Sequence, residues 1–193
     1  MKFLAFAGSP RRKGNTDLLL AEFLKGAQSK GAEVEIIVLQ NLKFATCVHC
    51  DSCLKEGKCR VQDDMQEIYE KMAEADVIVL ASPVQFAGIT ATAKALIDRC
   101  QCLWARKYVL KIPPLSPVKP RRGFFISVAG TRIKSMFEPS ITIVKTWFHV
   151  IDVEYAGELT VSGVDKRGEI LKRPEVLKQA FEMGREMAEN KIS

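Results

Sequence analysis

Short apolar runs alternate with longer segments whose apolar residues recur every three or four positions, from one end of the chain to the other. The runs at Lys2–Ala7, 33–39, Val77–Ala81, 123–128 and 153–159 are short, and most are rich in β-branched or aromatic residues, so they predict strands. The segments 16–29, 64–75, 90–102, 139–150 and 174–190 predict helices, with Asn15 before the first and Pro174 at the head of the last as start signals. Apolar strands interleaved with helices predict a parallel sheet covered on both faces. The expected fold is α/β: one three-layer domain over residues 1–193, with a doubly wound, five-stranded parallel sheet in strand order 2-1-3-4-5. Ligands of such sheets bind beyond the carboxyl ends of the strands, so the loops after strands one, three and four are expected to form a site. Two connections are unusually long. One is a cysteine-rich loop at 40–63; the other, at 103–122, carries Pro113, Pro114, Pro117 and Pro120.

The first strand runs into Gly8-Ser9-Pro10-Arg11-Arg12-Lys13-Gly14-Asn15-Thr16 and then directly into a helix. A phosphate at that junction would meet unpaired amides and the positive end of the helix dipole. Ser9, Asn15 and Thr16 add side-chain donors, Gly8 and Gly14 permit tight turns, and Arg11 or Arg12 supplies charge-assisted hydrogen bonds. The loop has neither the Gly-Lys-Ser/Thr ending of a Walker loop nor G-x-G-x-x-G. Its plainer reading is a structural, basic strand-to-helix turn. After the third strand, Pro83, Val84 and Phe86 offer an apolar surface, while Ser82 and Gln85 offer polar anchors. An ordinary strand-end turn is the alternative there.

Composition adds limits. A chain of 193 residues, 47% apolar, is long enough for a full core. No apolar run approaches the roughly 18 residues of a membrane helix. The apolar start, Phe3 to Ala7, is too short for a leader and is followed by a basic cluster, so a strand and a cytoplasmic protein are expected. The net charge of +6 is concentrated in 105–122, where Arg106, Lys107, Lys111, Lys119, Arg121 and Arg122 occur without an acidic residue. This stretch reads first as a solvated loop and second as a docking patch for an acidic partner. With little aromatic interleaving and no binding motif, nucleic acid is not an expected partner, nor is a membrane. His49 and His149 are the two histidines, and His149 is expected to pack on an apolar helix face.

Four of the six cysteines follow the spacing C-x2-C-x2-C-x5-C at Cys47, Cys50, Cys53 and Cys59. Successive cysteines three apart can wrap one face of a cubane cluster, and the longer last gap, with Gly57 to turn it, lets the fourth fold back. Structural zinc is a rival, although zinc sites usually join two ligand pairs across a longer spacer. Free or oxidised thiols, as in an aerobic preparation that has lost its cluster, are the other alternative. Cys100 and Cys102 are expected to be packing residues.

Residues 8–16 together with SPVQFAGITATAKALID at 82–98 resemble the NADPH-dependent FMN reductase-like flavoproteins, which are flavodoxin-like. With the cysteine loop followed by Asp63-Asp64-Met65, the chain is similar to the iron–sulfur flavoproteins of anaerobic microbes. The resemblance covers residues 1 to about 130 and is architectural beyond. It implies FMN, with its phosphate at Ser9, Arg11, Asn15 and Thr16. It implies ring contacts from Ser82, Pro83, Val84, Gln85 and Phe86 and from Val128, Ala129, Gly130 and Thr131. Gln85 replaces the family's usual tyrosine, and Ala129-Gly130 a longer glycine run. A 4Fe–4S cluster on Cys47, Cys50, Cys53 and Cys59 would exchange electrons with FMN, the flavin carrying the chemistry without a catalytic side chain. An acidic ferredoxin-like donor or NAD(P)H, a small-molecule acceptor, and a homodimer or homotetramer are further implications. Two other functions stay open: an NAD(P)H-dependent FMN or quinone reductase without a cluster, and a non-catalytic module with a zinc-stapled loop.

Overall fold

The computed structural model describes residues 1–189. Its sheet is all-parallel, built from β1 (Lys2–Ala7), β2 (Glu33–Val38), β3 (Val77–Ala81), β4 (Arg122–Ala129) and β5 (Glu154–Ser162) in the order β2-β1-β3-β4-β5. β3 is buried throughout and β1 at every residue but Lys2, as strands covered on both faces must be. β2 lies at an edge, where Glu33 and Glu35 are exposed; charges there discourage pairing with a foreign strand.

Successive strand residues feed opposite layers. Phe3, Ala5 and Ala7 pack with Leu19, Leu20 and Phe23 of α1 (Asn15–Gln28) and with Ala180 and Met187 of α7 (Pro174–Glu189). Leu4 and Phe6 pack with Met65 and Ile68 of α3 (Met65–Glu74), Leu96 of α4 (Ala91–Arg99) and Trp147 of α6 (Glu138–Val150). A single turn, α2 (Cys53–Glu56), interrupts the cysteine loop and ends on Gly57 at a left-handed φ of 67°. Among the described residues, no helix is long and apolar enough to cross a membrane.

The expected elements are present, with three marked differences. The third helix does not run from 90 to 102: it ends at Arg99, breaks at Cys100, and resumes as α5 (Gln101–Trp104) before a π turn at Ala105–Val109. Asn15 is the first helical residue and not its cap, a position taken by Gly14 without a side-chain bond. β5 extends to Ser162, three residues beyond expectation, because it pairs with β4 as far as Ala129. The expected end of the last helix at Asn190 lies outside the described residues.

Charge placement also differs. His149 is exposed, because α6 buries Val144, Trp147 and Phe148 instead. Much of the basic stretch turns inward. Lys107 and Lys119 bind Asp152 and Asp76, each at 2.6 Å, and Arg122 donates to the Met187 carbonyl at 2.6 Å. Arg121 is buried and donates to the carbonyls of Ala73 (2.5 Å) and Pro117 (2.8 Å). These cations tie a long loop to its neighbours, so it is neither simply solvated nor a concentrated patch.

α1 and α7 touch backbone to backbone. A Cβ on Gly184 would lie 1.8 Å from the Phe23 carbonyl oxygen, and one on Gly26 would lie 1.9 Å from that of Phe181.

Candidate functional site

At the carboxyl ends of β1, β3, β4 and β5 the structure opens a cavity of about 170 Å³, open to solvent at its mouth. Ser9, Arg11, Asn15 and Thr16 of the β1–α1 loop form one wall. Pro83, Val84 and Gln85 after β3 form the next, followed by Val128 and Gly130 at the end of β4. Val164, Asp165 and Arg167 after β5 complete it.

The β1–α1 loop is shaped by its own hydrogen bonds. The Gly8 amide donates to the Ala81 carbonyl at 2.7 Å, which ties the loop to β3. The Arg11 amide donates to the Ser9 hydroxyl (3.2 Å), and the Lys13 amide donates to Asp17 (2.8 Å). Asp17 also pairs with Arg12 at 3.0 Å, so Arg12 is held by the helix while Arg11 lines the cavity. Burial drives the Asp17 carboxyl above its ordinary pKa, although the Lys13 amide and the charges of Arg12 and Arg167 oppose this. The Arg11 guanidinium donates to the Asp165 carbonyl at 3.1 Å, which fixes it across the mouth. Among the described residues, no acceptor meets the amides of Asn15 and Thr16 in the first turn of α1. Two free amides, a helix N-terminus and a guanidinium suit a phosphate.

The side chain of Asn15 is committed elsewhere: it donates to the Lys166 carbonyl (2.9 Å) and accepts from the Ile170 amide (3.2 Å). It thereby pins the loop after β5 against the start of α1, and only its backbone is left for an anion.

Four expected ring contacts do not line the cavity: Ser82, Phe86, Ala129 and Thr131, the last with its hydroxyl accepting from the Ile133 amide at 3.1 Å. Ser82 is buried beneath the turn, where its hydroxyl accepts from the Thr90 amide at 3.0 Å. Ala129 is buried too, its carbonyl accepting from the Val164 amide at 3.0 Å. Phe86 is fully exposed at the tip of a turn closed by reciprocal Gln85–Gly88 bonds of 2.8 and 3.0 Å, with φ of 48° at Phe86 and 62° at Ala87. The left-handed tip throws the ring outward while Gln85 faces the site. Conversely, Val164, Asp165 and Arg167 line the cavity without having been expected. The signal for them was that β5 ends on the same side of the sheet as the other strands.

Cys47, Cys50, Cys53 and Cys59 line a second, small cavity of about 30 Å³, with His49, Arg99 and Cys102. Left-handed backbone at His49 (φ 51°) and Asp51 (φ 59°) winds the loop tightly. The amide and hydroxyl of Ser52 lower the pKa of Cys50, whereas burial raises that of Cys53. All six cysteines are free. Among the described residues, no group of three His, Cys, Asp or Glu side chains is drawn together enough to hold a metal ion. The donor set nonetheless fits a cluster: four thiols face one largely apolar enclosure, and soft thiolates are the ligands that iron–sulfur clusters take. Cys102, expected only to pack, is buried yet faces this enclosure, while Cys100 accepts from the Trp147 indole at 3.3 Å.

Residues 1–138 match the family described as NADPH-dependent FMN reductase. An iron–sulfur flavoprotein of Archaeoglobus fulgidus is 39% identical over 130 residues, 67% of this chain and 63% of that protein. The chain thus spans less than two thirds of that relative. An iron–sulfur flavoprotein of Methanosarcina thermophila is 32% identical over 158 residues, covering 82% of this chain and 78% of its own length. A solved structure of a flavone reductase superposes with a TM-score of 0.72 at 25% identity, covering 98% of this chain and 62% of that one.

Proposed function

Since the chain belongs to the NADPH-dependent FMN reductase family, and within it to the iron–sulfur flavoproteins, we propose that it is an FMN-dependent oxidoreductase carrying a 4Fe–4S cluster. The observation that carries this reading is the pair of unpartnered amides at the start of α1 beside Arg11, an environment made for a dianionic phosphate. Arg11 and the first turn of α1 hold the phosphate. Pro83, Val84, Val128 and Val164 keep water from a flat ring, and Gln85 orients its polar edge. Cys47, Cys50, Cys53 and Cys59 hold the cluster. When bound, FMN supplies exchange between two-electron and one-electron chemistry and the cluster supplies a one-electron relay.

The two cavities share no lining residue. A homodimer or homotetramer that brings the cysteine loop of one copy to the flavin mouth of another completes the path. An acidic ferredoxin-like carrier or NAD(P)H donates the electrons and a small molecule accepts them. Six free thiols suit a reducing cytoplasm.

A second reading, an NAD(P)H-dependent FMN or quinone reductase without a cluster, is favoured by the thiols not being drawn together as metal ligands. Protein purified without oxygen separates the two. Flavin bands with a broad shoulder that bleaches on reduction, and about four iron atoms per chain, support the cluster. Rapid NADPH oxidation by iron-free protein supports the second reading, and stoichiometric zinc without flavin overturns both.

A further inference from the structure

Arg99 is the last residue of α4, with its side chain 1% exposed. A guanidinium so deeply buried requires acceptors for its five N–H groups. Nη1 donates to the Ala45 carbonyl (2.8 Å) and to one oxygen of Asp63 (2.5 Å). Nη2 donates to the other oxygen of Asp63 (3.0 Å), to the Val61 carbonyl (3.5 Å) and to Sγ of Cys59 (3.4 Å). Nε is buried and has no partner among the described residues.

These contacts fall at both ends of the cysteine loop. Ala45 precedes Cys47, while Val61 and Asp63 follow Cys59. Asp63 reinforces the closure by accepting from the amides of Ala45 and Met65, each at 3.1 Å, and the Tyr69 hydroxyl donates to the Arg99 carbonyl at 2.7 Å. Arg99 also lines the enclosure that the four cysteines face, where its Nη2 reaches the sulfur of Cys59.

We propose that Arg99 is a positioning residue of the cluster site, which folds Cys59 back into one set with Cys47, Cys50 and Cys53 and raises the cluster's reduction potential by donating N–H to sulfur. The inference rests on the iron–sulfur reading above. The loop needs such a clasp because its longest gap precedes Cys59, and the bonds to Val61 and Asp63 fix the chain just past that gap. The potential follows from charge: hydrogen bonds to sulfur stabilise the more negative, reduced state. The Asp63 carboxylate offsets the charge of Arg99, which leaves the directional N–H···S contact as the effect on the cluster.

The test compares wild type, Arg99→Lys and Arg99→Gln purified without oxygen. The measurements are iron and sulfide per chain, FMN per chain, and the midpoints of cluster and flavin in redox titrations followed by electron paramagnetic resonance. Lysine keeps the charge, but one ammonium cannot reach Ala45, Val61, Asp63 and Cys59 together. In Arg99→Lys we expect unchanged FMN content and flavin midpoint, with the cluster midpoint more negative by about a tenfold change in the reduced-to-oxidised ratio, ~59 mV for one electron. Arg99→Gln is expected to lose more than half of its iron while retaining FMN. If Arg99→Gln does not fold, Arg99→Lys decides alone. Full iron and an unmoved cluster midpoint in Arg99→Lys overturn the proposal and leave the cluster reading standing. Iron-free wild type overturns both.

Discussion

Arg11 and Arg12 are neighbours in sequence with opposite roles. Asp17 draws Arg12 onto the helix, whereas Arg11 reaches across the mouth to the Asp165 carbonyl. Arg11→Ala should therefore weaken FMN binding at least tenfold, since a charge-assisted hydrogen bond is worth about 1.5–3 kcal/mol. Arg12→Ala should leave the affinity within a factor of about three, because its bond to Asp17 is not to the ligand. Quenching of flavin fluorescence measures both. Neither assignment is legible in the string Arg11-Arg12, because only the fold determines which side chain finds the half-buried carboxylate of Asp17. The same holds for Gln85 and Phe86. The family resemblance marked both as ring contacts, but the left-handed tip sends one inward and the other to solvent.

Among the elements, the crossing of α1 and α7 is the most demanding. Gly26 and Gly184 let the two backbones meet, and any side chain there collides with a carbonyl. Gly184→Ala should lower stability by about 1–3 kcal/mol, the usual cost of overpacking. The melting temperature should fall by about 2–4 °C for each kcal/mol in a chain of this size. This loss occurs even though alanine is the better helix former. Strands and helices were legible because their apolar periods differ. The glycine contact was not, since it brings Gly26 against Phe181 and Gly184 against Phe23, from opposite ends of the chain. The break at Cys100 was hidden for a similar reason: apolar residues continue through it, and Arg99, the last residue of α4, binds the cysteine loop far away in sequence.

At the scale of the molecule, acid should expose how the sheet is pinned. Asp76, just before β3, accepts from the Lys2 amide (2.7 Å) and Lys119 (2.6 Å). Burial alone would raise its pKa, but these donors outweigh burial and hold it below 3.8. Its contribution is thus present above pH 3.8 and is lost as pH falls through the lower folded-state value. Melting temperatures measured across a pH series should drop below pH 3.8, and Asp76→Asn should make that drop shallower. The strand order and the end of the sheet that carries the site were readable from the alternation of elements. The wall after β5 was not, because it depends on a contact between Asn15 and residues more than 150 positions later. That contact has a consequence in time. Ribosomes release the amino end first, so the 138 residues that match the family emerge while the flavin mouth still lacks one side. The mouth gains its last wall, Val164, Asp165 and Arg167, only once β5 and the turn behind it have been synthesised.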